Sequence, residues 1–411
     1  MNKDIKMLLE KVVKHDYCIG CGVCASIEGS PLTMVLNEKG KYVPKLNSED
    51  VCKRLDINVN EICPFANEAK NENELADELF NQNINEKDQY IGYYHSLYAG
   101  YVKDTNYRKN GSSGGIATWL SKKLLDEKLV DGIIHVSESN GPVLFEYKIS
   151  EDYDSLLKGS KSKYYPVEMS KVLKRLILSK KRYALIGVPC FIKAVRLLAN
   201  KDSRIKKSIP YFIGLVCGHL KSDFYAKSIG WELGIEPLNL SKIDFRVKIS
   251  DREANNYGIE VTHKKNPRKK ISNNKDLFVT DWGQGMFKYN ACDFCDDVLA
   301  ETADVTLGDA WLPKYKTDSQ GTNIIIIRNA KINSLFNNYK QELFLDPLNS
   351  NQIFQSQVGG FRHRRMGLAY RLFKKDEEGV WRPDKRVRPS NKMHRKFKNI
   401  FDMRSKITIE S

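Results

Sequence analysis

The chain has 411 residues, which is long enough for two or three domains and a sizeable core. Its composition, 41% hydrophobic and 29% charged, is that of a globular protein, and no apolar run is long enough to span a bilayer. The formal net charge of +16 raises nucleic acid or an acidic partner as candidates, but no nucleic-acid recognition motif accompanies the charge.

The basic excess is concentrated in two segments, residues 264–270 and 362–406. A solvated face is the ordinary interpretation of such segments, and docking to an anionic substrate or an acidic redox partner is the functional one. The N-terminus is charged and amphipathic and has no apolar signal core. We therefore expect a cytoplasmic protein whose nine cysteines serve metal or redox chemistry and not disulfides.

Three cysteines near the N-terminus are each separated by two residues: Cys18, Cys21 and Cys24. In two-cluster bacterial ferredoxins the pattern is C-x2-C-x2-C-x3-C-P, and the fourth Cys of each run ligates the other run's cluster. Cys63-Pro64 supplies that remote ligand. The ligand positions of the second ferredoxin cluster are all lost and hold Glu28, Lys53, Asp56 and Val59. The pattern predicts a ferredoxin-like module over residues 1–68 that holds one [4Fe-4S] cluster.

Two alternatives to this ligand set stay open. Cys52 lies beside one of the lost ligand positions and is a reserve ligand. The other alternative is a structural zinc site, although zinc usually pairs two C-x2-4-C knuckles. Gly20 and Gly22 suit a loop that wraps a cluster, because such a loop needs permissive dihedrals and free amide groups.

Residues 69–95 are rich in Asn and Glu and predict a helical or loose linker. The domain that follows, residues 96–345, alternates apolar runs with amphipathic segments, which is typical of an α/β fold with a largely parallel sheet. Its predicted strands span 97–102, 131–136, 183–188 and 210–216, and its predicted helices span 116–129, 168–179, 191–200 and 223–233.

From residue 241 the pattern becomes that of antiparallel strands, at 243–249, 257–263, 305–307 and 323–327. We interpret this part as a subregion added against the same sheet, which makes the sheet mixed. Residues 346–411 form a basic C-terminal extension with weak apolar periodicity. The predicted fold class is α/β, α+β overall: a ferredoxin-like module joined to an α/β domain.

A turn rich in glycine and serine runs straight into the first helix of this domain, through Ser112, Ser113, Gly114 and Gly115. The free N–H groups and positive dipole of a helix start favour an anion, and the two hydroxyls can bind phosphate. The turn is neither a Walker A nor a G-x-G-x-x-G motif, so an ordinary helix cap is equally compatible. The loop with Lys161, Lys163 and Tyr164 adds charge and a stacking surface for a dinucleotide, or is simply solvated.

A second cysteine set is predicted from topology. Cys190 and Cys217 each follow the carboxyl end of a predicted strand, where ligands bind in an open parallel sheet. Cys292 and Cys295 form a C-x2-C pair on a short loop. If the two strands are neighbours, these four cysteines can hold a second [4Fe-4S] cluster, although a lone Cys after a strand is often simply buried.

Eight motifs, taken together and in this order, resemble the coenzyme F420 hydrogenase/dehydrogenase beta-subunit family over roughly residues 16–328. They are Cys18–Cys24, Gly111–Gly115, Ser162–Tyr164, Gly187–Cys190, Cys217–His219, Ile243–Arg246, Cys292–Cys295 and Ala303–Asp309. The later run Gly359–Arg365 resembles a bacterial branch that is often associated with surface-polysaccharide gene clusters.

The resemblance implies one or two [4Fe-4S] clusters on the cysteine sets and FAD held by Ser113, Gly114, Gly115 and Lys163. We expect an oxidoreductase that passes electrons from a ferredoxin-type donor through clusters and FAD to an organic acceptor, in surface-polysaccharide synthesis. His219 and Asp309 are its candidate catalytic polar groups, and a satisfied structural role is the alternative for each.

Two other functions stay open. One is an electron-transfer subunit that reduces coenzyme F420, a deazaflavin, within a larger dehydrogenase complex. The other is a zinc-stabilised protein that binds nucleic acid or glycan. We expect no nucleic-acid partner and no membrane span, and a homo-oligomer is compatible with the sequence.

Overall fold

The computed structural model describes residues 2–47 and 55–392. The N-terminal module begins with helix α1 (Lys3–Leu8), which continues into a π-helical turn (Leu9–Val13). Helix α2 (Val23–Ser26) starts within the cysteine run, and strands β1 (Leu32–Leu36) and β2 (Tyr42–Leu46) form an antiparallel hairpin. Cys52, the reserve ligand, lies outside the described residues.

The predicted linker contains helix α3 (Glu72–Phe80) and the short strands β3 (Lys87–Asp88) and β4 (Gly92–Tyr93). A capping box with Asn71 begins α3, because the Asn71 and Glu74 side chains satisfy each other's backbone N–H groups. Glu72 forms a buried ion pair with Lys193 at 3.1 Å. The linker therefore contains a helix, in agreement with the helical of the two alternatives, helical or loose, and it packs against the main domain.

The remaining strands are β5 (Ser96–Val102), β6 (Gly132–Glu138), β7 (Phe145–Ser150), β8 (Tyr183–Gly187), β9 (Tyr211–Leu215), β10 (Leu240–Val247), β11 (Gly258–His263), β12 (Lys269–Asn273), β13 (Val305–Asp309), β14 (Asn323–Ile327) and β15 (Leu343–Pro347). The remaining helices are α4 (Thr105–Asn110), α5 (Ile116–Asp126), α6 (Tyr153–Lys158), α7 (Ser170–Ile177), α8 (Pro189–Lys201), α9 (Ser203–Ser208), α10 (Asp223–Glu232), α11 (Pro313–Lys316), α12 (Ala330–Asn338), α13 (Ser350–Ser356), α14 (Val358–Phe361) and α15 (Leu368–Glu377).

The main sheet has eight strands in the order β15-β5-β14-β13-β9-β8-β6-β7. Its four strands β13, β9, β8 and β6 are parallel, and the pairings that involve the outer strands are antiparallel. The mixed α/β fold is confirmed. The central strands are apolar because they are covered on both faces, as with β14, which is buried at all five positions.

The prediction of one shared sheet is wrong for two of the antiparallel strands. β10 and β11 pair with β12 in a separate three-stranded sheet, whereas β13 and β14 belong to the main sheet. The inward residues of β10 and β11 pack on the aromatic face of α10, where Tyr225 and Phe245 stack with ring centroids 6.0 Å apart. Their apolar alternation is thus satisfied by a helix, which sequence periodicity cannot distinguish from a sheet.

The C-terminal segment is packed through residue 387. A π-helical turn (Arg362–Gly367) joins α14 to α15, and the chain then runs back over the N-terminal module. There Trp381 packs edge-on against Tyr17 at 5.6 Å, and Lys385 lies 4.2 Å above the Phe65 ring. The interpretation of this segment as a solvated face is wrong for three of its arginines, whose side chains are buried: Arg364, Arg371 and Arg386.

Two arginines of the segment, Arg365 and Arg386, form ion pairs within the protein. Arg386 binds both Asp296 at 3.1 Å and Glu301 at 2.6 Å, and Arg365 binds Glu301 at 2.9 Å. The basic charge of the segment therefore neutralises an acidic cluster that follows the C-x2-C pair. A membrane-spanning helix, which needs a long apolar stretch, is not found within residues 2–47 and 55–392.

Candidate functional site

The first cysteine set lies in the loop before α2 and at the turn that contains Cys63. Gly20 and Gly22 have φ values of +69° and +81°, a region that L side chains rarely adopt. A Cβ atom would lie 2.6 Å from the Tyr42 carbonyl oxygen at Gly20 and 2.5 Å from the Glu168 carboxylate at Gly22. These two glycines let the loop turn tightly, and the Gly20 N–H then points at the Cys18 Sγ, 3.4 Å away.

The four thiols of this set lie within electrostatic range of one another. The pKa of Cys24 is raised mainly by burial and then by the neighbouring sulfurs of Cys21, Cys18 and Cys63. Backbone N–H groups of Phe65 and Ala66 approach the Cys63 sulfur and favour its thiolate. Four free cysteines with N–H groups aimed at sulfur fit an iron-sulfur cluster.

The second set forms at the carboxyl edge of the main sheet. β8 and β9 are parallel neighbours, which was the condition for the predicted convergence, so Cys190 in the first turn of α8 and Cys217 after β9 approach the same crevice. Cys292 and Cys295 come from the 3-10 turn Asn290–Phe294 and the residue after it. The pKa of Cys190 is raised mainly by burial and then by the sulfurs of the other three.

The spacing of the sulfurs distinguishes a cluster from a single ion. Tetrahedral zinc with bonds of about 2.3 Å holds its sulfurs roughly 3.8 Å apart, whereas a cubane places each thiolate on a different iron atom. In the part of the chain that the structure describes, no group of three or more His, Cys, Asp or Glu residues is close enough to hold one metal ion. The donors of both sets fit [4Fe-4S] clusters better than zinc, and their role as ligands stays a prediction.

Sequence analysis missed Arg364, which lies against the second set. Its side chain is only 2% exposed, and it donates from Nη1 to the Cys295 Sγ at 2.9 Å and from Nη2 to the Cys217 Sγ at 3.6 Å. It also donates to the carbonyl oxygens of Asp297, at 2.7 Å, and Gly218. Its sequence signal, the apolar residues Phe361 and Leu368 on either side of the basic run, is too sparse to predict a buried segment.

The two cysteine sets adjoin each other across the interface between the module and the main domain. Tyr17, which precedes Cys18, meets Phe294, which precedes Cys295, with ring centroids 4.9 Å apart and planes at 84°. The Tyr289 hydroxyl lies between the sets, and its pKa is raised by burial and then by the sulfurs of Cys18 and Cys292. The fold thus places the two sets in one contiguous region.

The glycine-rich turn is tied to the neighbouring loop and sheet. The Ser112 Oγ accepts from the Ser162 N–H at 2.7 Å, and the Ser113 Oγ donates to the Thr322 carbonyl oxygen at 2.9 Å. At Gly114 a Cβ would lie 2.6 Å from the Gly100 carbonyl oxygen, so this residue must be small. Gly115, the residue before α5, offers no side-chain cap, but the Ile116 N–H donates to the Asn323 Oδ1 at 3.4 Å. The predicted phosphate-binding hydroxyls and the first N–H of the helix are therefore engaged within the protein.

Basic side chains surround this turn. Lys161 pairs with Asp244 at 2.5 Å, but Lys163 donates only to backbone carbonyl oxygens, and burial lowers its pKa to about 8. Lys248, which sequence analysis missed, donates to three backbone carbonyl oxygens, and its pKa is about 7 because of burial and the neighbouring Arg108. Half-buried lysines whose donors meet no carboxylate among the described residues are costly, and a bound anion would stabilise them.

The cleft beside Lys248 has a cavity volume of about 10 Å³ and is lined by Ser112, Arg246, Lys248, Glu253, Tyr257 and Gly321, among others. Ligand pockets for whole cofactors are usually about 300–1,000 Å³, and a cavity of about 10 Å³ holds about one water molecule. The charge of the cleft therefore fits a phosphate-bearing group, while its volume in this structure is too small for a dinucleotide.

The two candidate catalytic residues, Asp309 and His219, are connected through a row of contacting side chains. Asp309 accepts two hydrogen bonds from Arg246, at 3.1 and 3.3 Å, and Arg246 also donates to the Tyr164 hydroxyl at 3.3 Å. Tyr164 packs on Trp282, and Trp282 packs on His219 with ring centroids 4.3 Å apart. His219 and Asp309 therefore belong to the same region but are not in contact.

His219 lies between the second cysteine set and the basic cleft. Its Nε2 is buried and has no hydrogen-bond partner among the described residues. Burial and the adjacent Lys221 and Lys288 lower its pKa well below the usual value, so the ring is neutral. A neutral, unsatisfied imidazole nitrogen can accept or donate a hydrogen bond to a bound substrate, whereas Asp309 is occupied in positioning Arg246.

Comparison with known proteins gives concordant results. The sequence matches the family described as coenzyme F420 hydrogenase/dehydrogenase beta subunit, with its N-terminal part at residues 97–174 and its C-terminal part at residues 180–350. An uncharacterized protein of Methanocaldococcus jannaschii is 24% identical over 356 residues, which cover 80% of this chain and 88% of that protein.

The coenzyme F420-dependent sulfite reductase of the same organism is 25% identical over 339 residues, which cover 79% of this chain and 46% of the reductase. The chain thus spans about half the length of that relative. A chain of the F420-reducing [NiFe] hydrogenase complex from Methanosarcina barkeri has the same fold, with a TM-score of 0.54 at 16% identity. The match covers 74% of this chain and 99% of the hydrogenase chain.

Proposed function

Because this chain belongs to the coenzyme F420 hydrogenase/dehydrogenase beta-subunit family, a family of redox proteins, we propose that it is an iron-sulfur flavoprotein oxidoreductase. In this proposal a ferredoxin-type protein donates electrons to [4Fe-4S] clusters on the two cysteine sets, FAD occupies the basic cleft, and an organic compound is the acceptor. An intermediate of surface-polysaccharide synthesis is proposed as that acceptor solely from the resemblance of Gly359–Arg365.

The observation that carries the proposal is the convergence of eight free cysteines into two adjoining sets. Each set has four thiols in mutual electrostatic range, and the aromatic rings of Tyr17 and Phe294 meet between them. Such proximity supports electron exchange between the sets. The burial of the cysteines supports the entry of electrons at the first set, because three cysteines of that set are half-buried, whereas three of the second set are buried.

The charge of the basic cleft, and not its volume in this structure, supports the flavin part of the proposal. A flavin exchanges single electrons with a cluster and electron pairs with an organic substrate. Lys163 and Lys248 would bind its phosphates, and the start of α5 would contribute backbone N–H groups. Tyr164 and Tyr257 line the same region and would pack against an aromatic ring. His219 would hold or orient the substrate through its unsatisfied Nε2.

One alternative function is favoured by a specific observation. The hydrogenase chain is covered over 99% of its length, and its complex is named for the reduction of F420. A subunit that reduces coenzyme F420 within a larger complex is therefore our second candidate. The zinc-stabilised binding protein is not favoured, because no single-ion site is found among residues 2–47 and 55–392.

The testing experiment measures iron, acid-labile sulfide and flavin after anaerobic purification. We expect about eight iron atoms and one FAD per chain, four irons for each cysteine set. Cys63→Ser and Cys295→Ser should each remove about four of them, and Cys52→Ser, the matched control, should remove none. Zinc without flavin would overturn the proposal.

A further inference from the structure

An open groove lies on the surface directly after Cys24. Residues 26–30 form one wall, and Lys174, Ile177 and Leu178 at the end of α7 form the other. The Ser30 hydroxyl donates to the Cys24 carbonyl oxygen at 2.8 Å and ties this wall to the cysteine loop. Leu178 is 89% exposed, an unusual state for a leucine beside a groove that also contains Ile27 and Ile177.

The rim of the groove is strongly basic. α2 packs against α7, and α7 packs against α9, so the exposed faces of these helices form one surface. This surface presents five exposed cations that the structure pairs with no carboxylate of the described residues: Lys171, Lys174, Arg175, Lys206 and Lys207. The acidic residue in the groove, Glu28, is neutralised by Arg204 at 2.9 Å. The groove therefore combines an apolar centre with a cationic rim.

We propose that this groove is the docking site for an acidic one-electron carrier protein of the ferredoxin type, which delivers electrons to the first cysteine set. The inference rests on the proposed function, in which that set holds a cluster. An apolar centre inside a charged rim is the usual anatomy of a protein interface, and a cationic rim selects an anionic partner and accelerates its approach.

Other occupants fit the groove less well. Single-stranded nucleic acid is bound by stacking on aromatic side chains, and none of the groove's lining residues is aromatic. A second copy of this chain would bring two cationic rims together, which is unfavourable in a chain with a formal net charge of +16. The donor protein is the occupant that also explains why the groove adjoins Cys24.

The test uses the full, anaerobically purified chain and a reduced acidic [2Fe-2S] or [4Fe-4S] ferredoxin. Lys174→Glu/Arg175→Glu reverses two rim charges, and Leu178→Ser removes the apolar contact without a charge change. The matched control, Lys331→Glu/Lys340→Glu, makes the same charge change at exposed residues in α12 and in the turn after it. Three readouts are taken: the rate of reduction by the ferredoxin, the Kd for the ferredoxin, and zero-length carbodiimide crosslinks between lysines and ferredoxin carboxylates.

At low ionic strength the rim variant should slow reduction by the ferredoxin about tenfold or more and weaken binding, and high salt should abolish the difference. Leu178→Ser should weaken binding at both salt concentrations, the control should behave like the parent, and crosslinks should map to Lys171, Lys174, Lys206 or Lys207. Equal slowing by the rim variant and the control would overturn the proposal, as would crosslinks confined to other surfaces or self-association through this face.

The proposed function fails in a different way. If the purified chain contains no iron and no acid-labile sulfide, the cluster assignment is wrong, whatever the ferredoxin binds. If dithionite reduces the parent and the rim variant equally while ferredoxin distinguishes them, both the clusters and the docking site are supported.

Discussion

Replacing Arg364 tests whether the C-terminal segment supports the second cysteine set. Arg364→Met keeps much of the side-chain volume but removes the charge and four hydrogen bonds. One of the acceptors is the buried carbonyl oxygen of Asp297, which the variant leaves without this donor, whereas water can reach the carbonyl oxygen of the exposed Gly218. An unsatisfied buried group costs about 1–3 kcal/mol, so we expect the free energy of unfolding to fall by roughly 1–3 kcal/mol.

The charge has a second effect. The guanidinium favours the thiolate forms of Cys295 and Cys217, and a cation close to a cluster stabilises its reduced, more negative state. Arg364→Met should therefore lower the reduction potential of the cluster on this set. Arg364→Lys should retain more of that potential than of the stability, because lysine keeps the charge but cannot reproduce the fork of donors.

The assays are anaerobic denaturation followed by tryptophan fluorescence and a redox titration followed by electron paramagnetic resonance. Arg362→Met is the control, because Arg362 lies on the same turn and is exposed. An Arg364→Met protein that keeps its iron, its potential and its denaturation midpoint would refute the reasoning. A loss of stability equal to that of the Arg362 control would do so as well.

Three further predictions concern other parts of the molecule. Gly20→Ala should lower the iron content, because Gly20 has a φ of +69° and the new Cβ would lie 2.6 Å from the Tyr42 carbonyl oxygen. The control for the iron analysis is Gly379→Ala, which is also at positive φ but has open space around it. Lys193→Met should destabilise the chain by about 3–5 kcal/mol, because it leaves the Glu72 carboxylate buried and unpaired, and Lys193→Met/Glu72→Gln should recover part of the loss in denaturation experiments. The pKa of Lys248 is lowered from 10.5 to about 7, so between these pH values the unfolded chain binds more protons than the folded one. The flavin-free protein should therefore gain stability as pH rises above 7, by up to about 1.4 kcal/mol per pH unit from this lysine, and Lys248→Met should flatten the rise; an unchanged slope in denaturation series from pH 7 to 8.5 would contradict the assignment.

The elements of the main sheet could be predicted because their residues follow local rules. Short apolar runs between amphipathic helices are typical of buried parallel strands, and the chain has two such runs at Tyr183–Gly187 and Tyr211–Leu215. If these two strands are neighbours, Cys190 and Cys217 approach each other, because each cysteine follows the carboxyl end of its strand. The convergence of the second cysteine set was therefore predictable, although its four members span more than a hundred residues.

The remaining features depend on contacts that no local pattern encodes. Arg364 reaches Cys217 across 147 residues, and its segment has too little periodicity to indicate a buried helix. The pairing of Arg386 with Glu301 likewise cannot be seen in a run of basic residues, because charge in a sequence does not reveal its partner. Lys248 directly follows β10, and it is withdrawn from water because the three-stranded sheet packs beside the glycine-rich turn.

The path of the C-terminal segment also orders events during synthesis. All eight described cysteines leave the ribosome before residues 362–387, and N-terminal parts of a chain generally begin to fold first. Arg364, Trp381 and Lys385 then close over both sets from the outside. Until that segment docks, the thiols of both sets are less enclosed than in the folded protein, and iron and sulfide delivered by an assembly factor would have access to them.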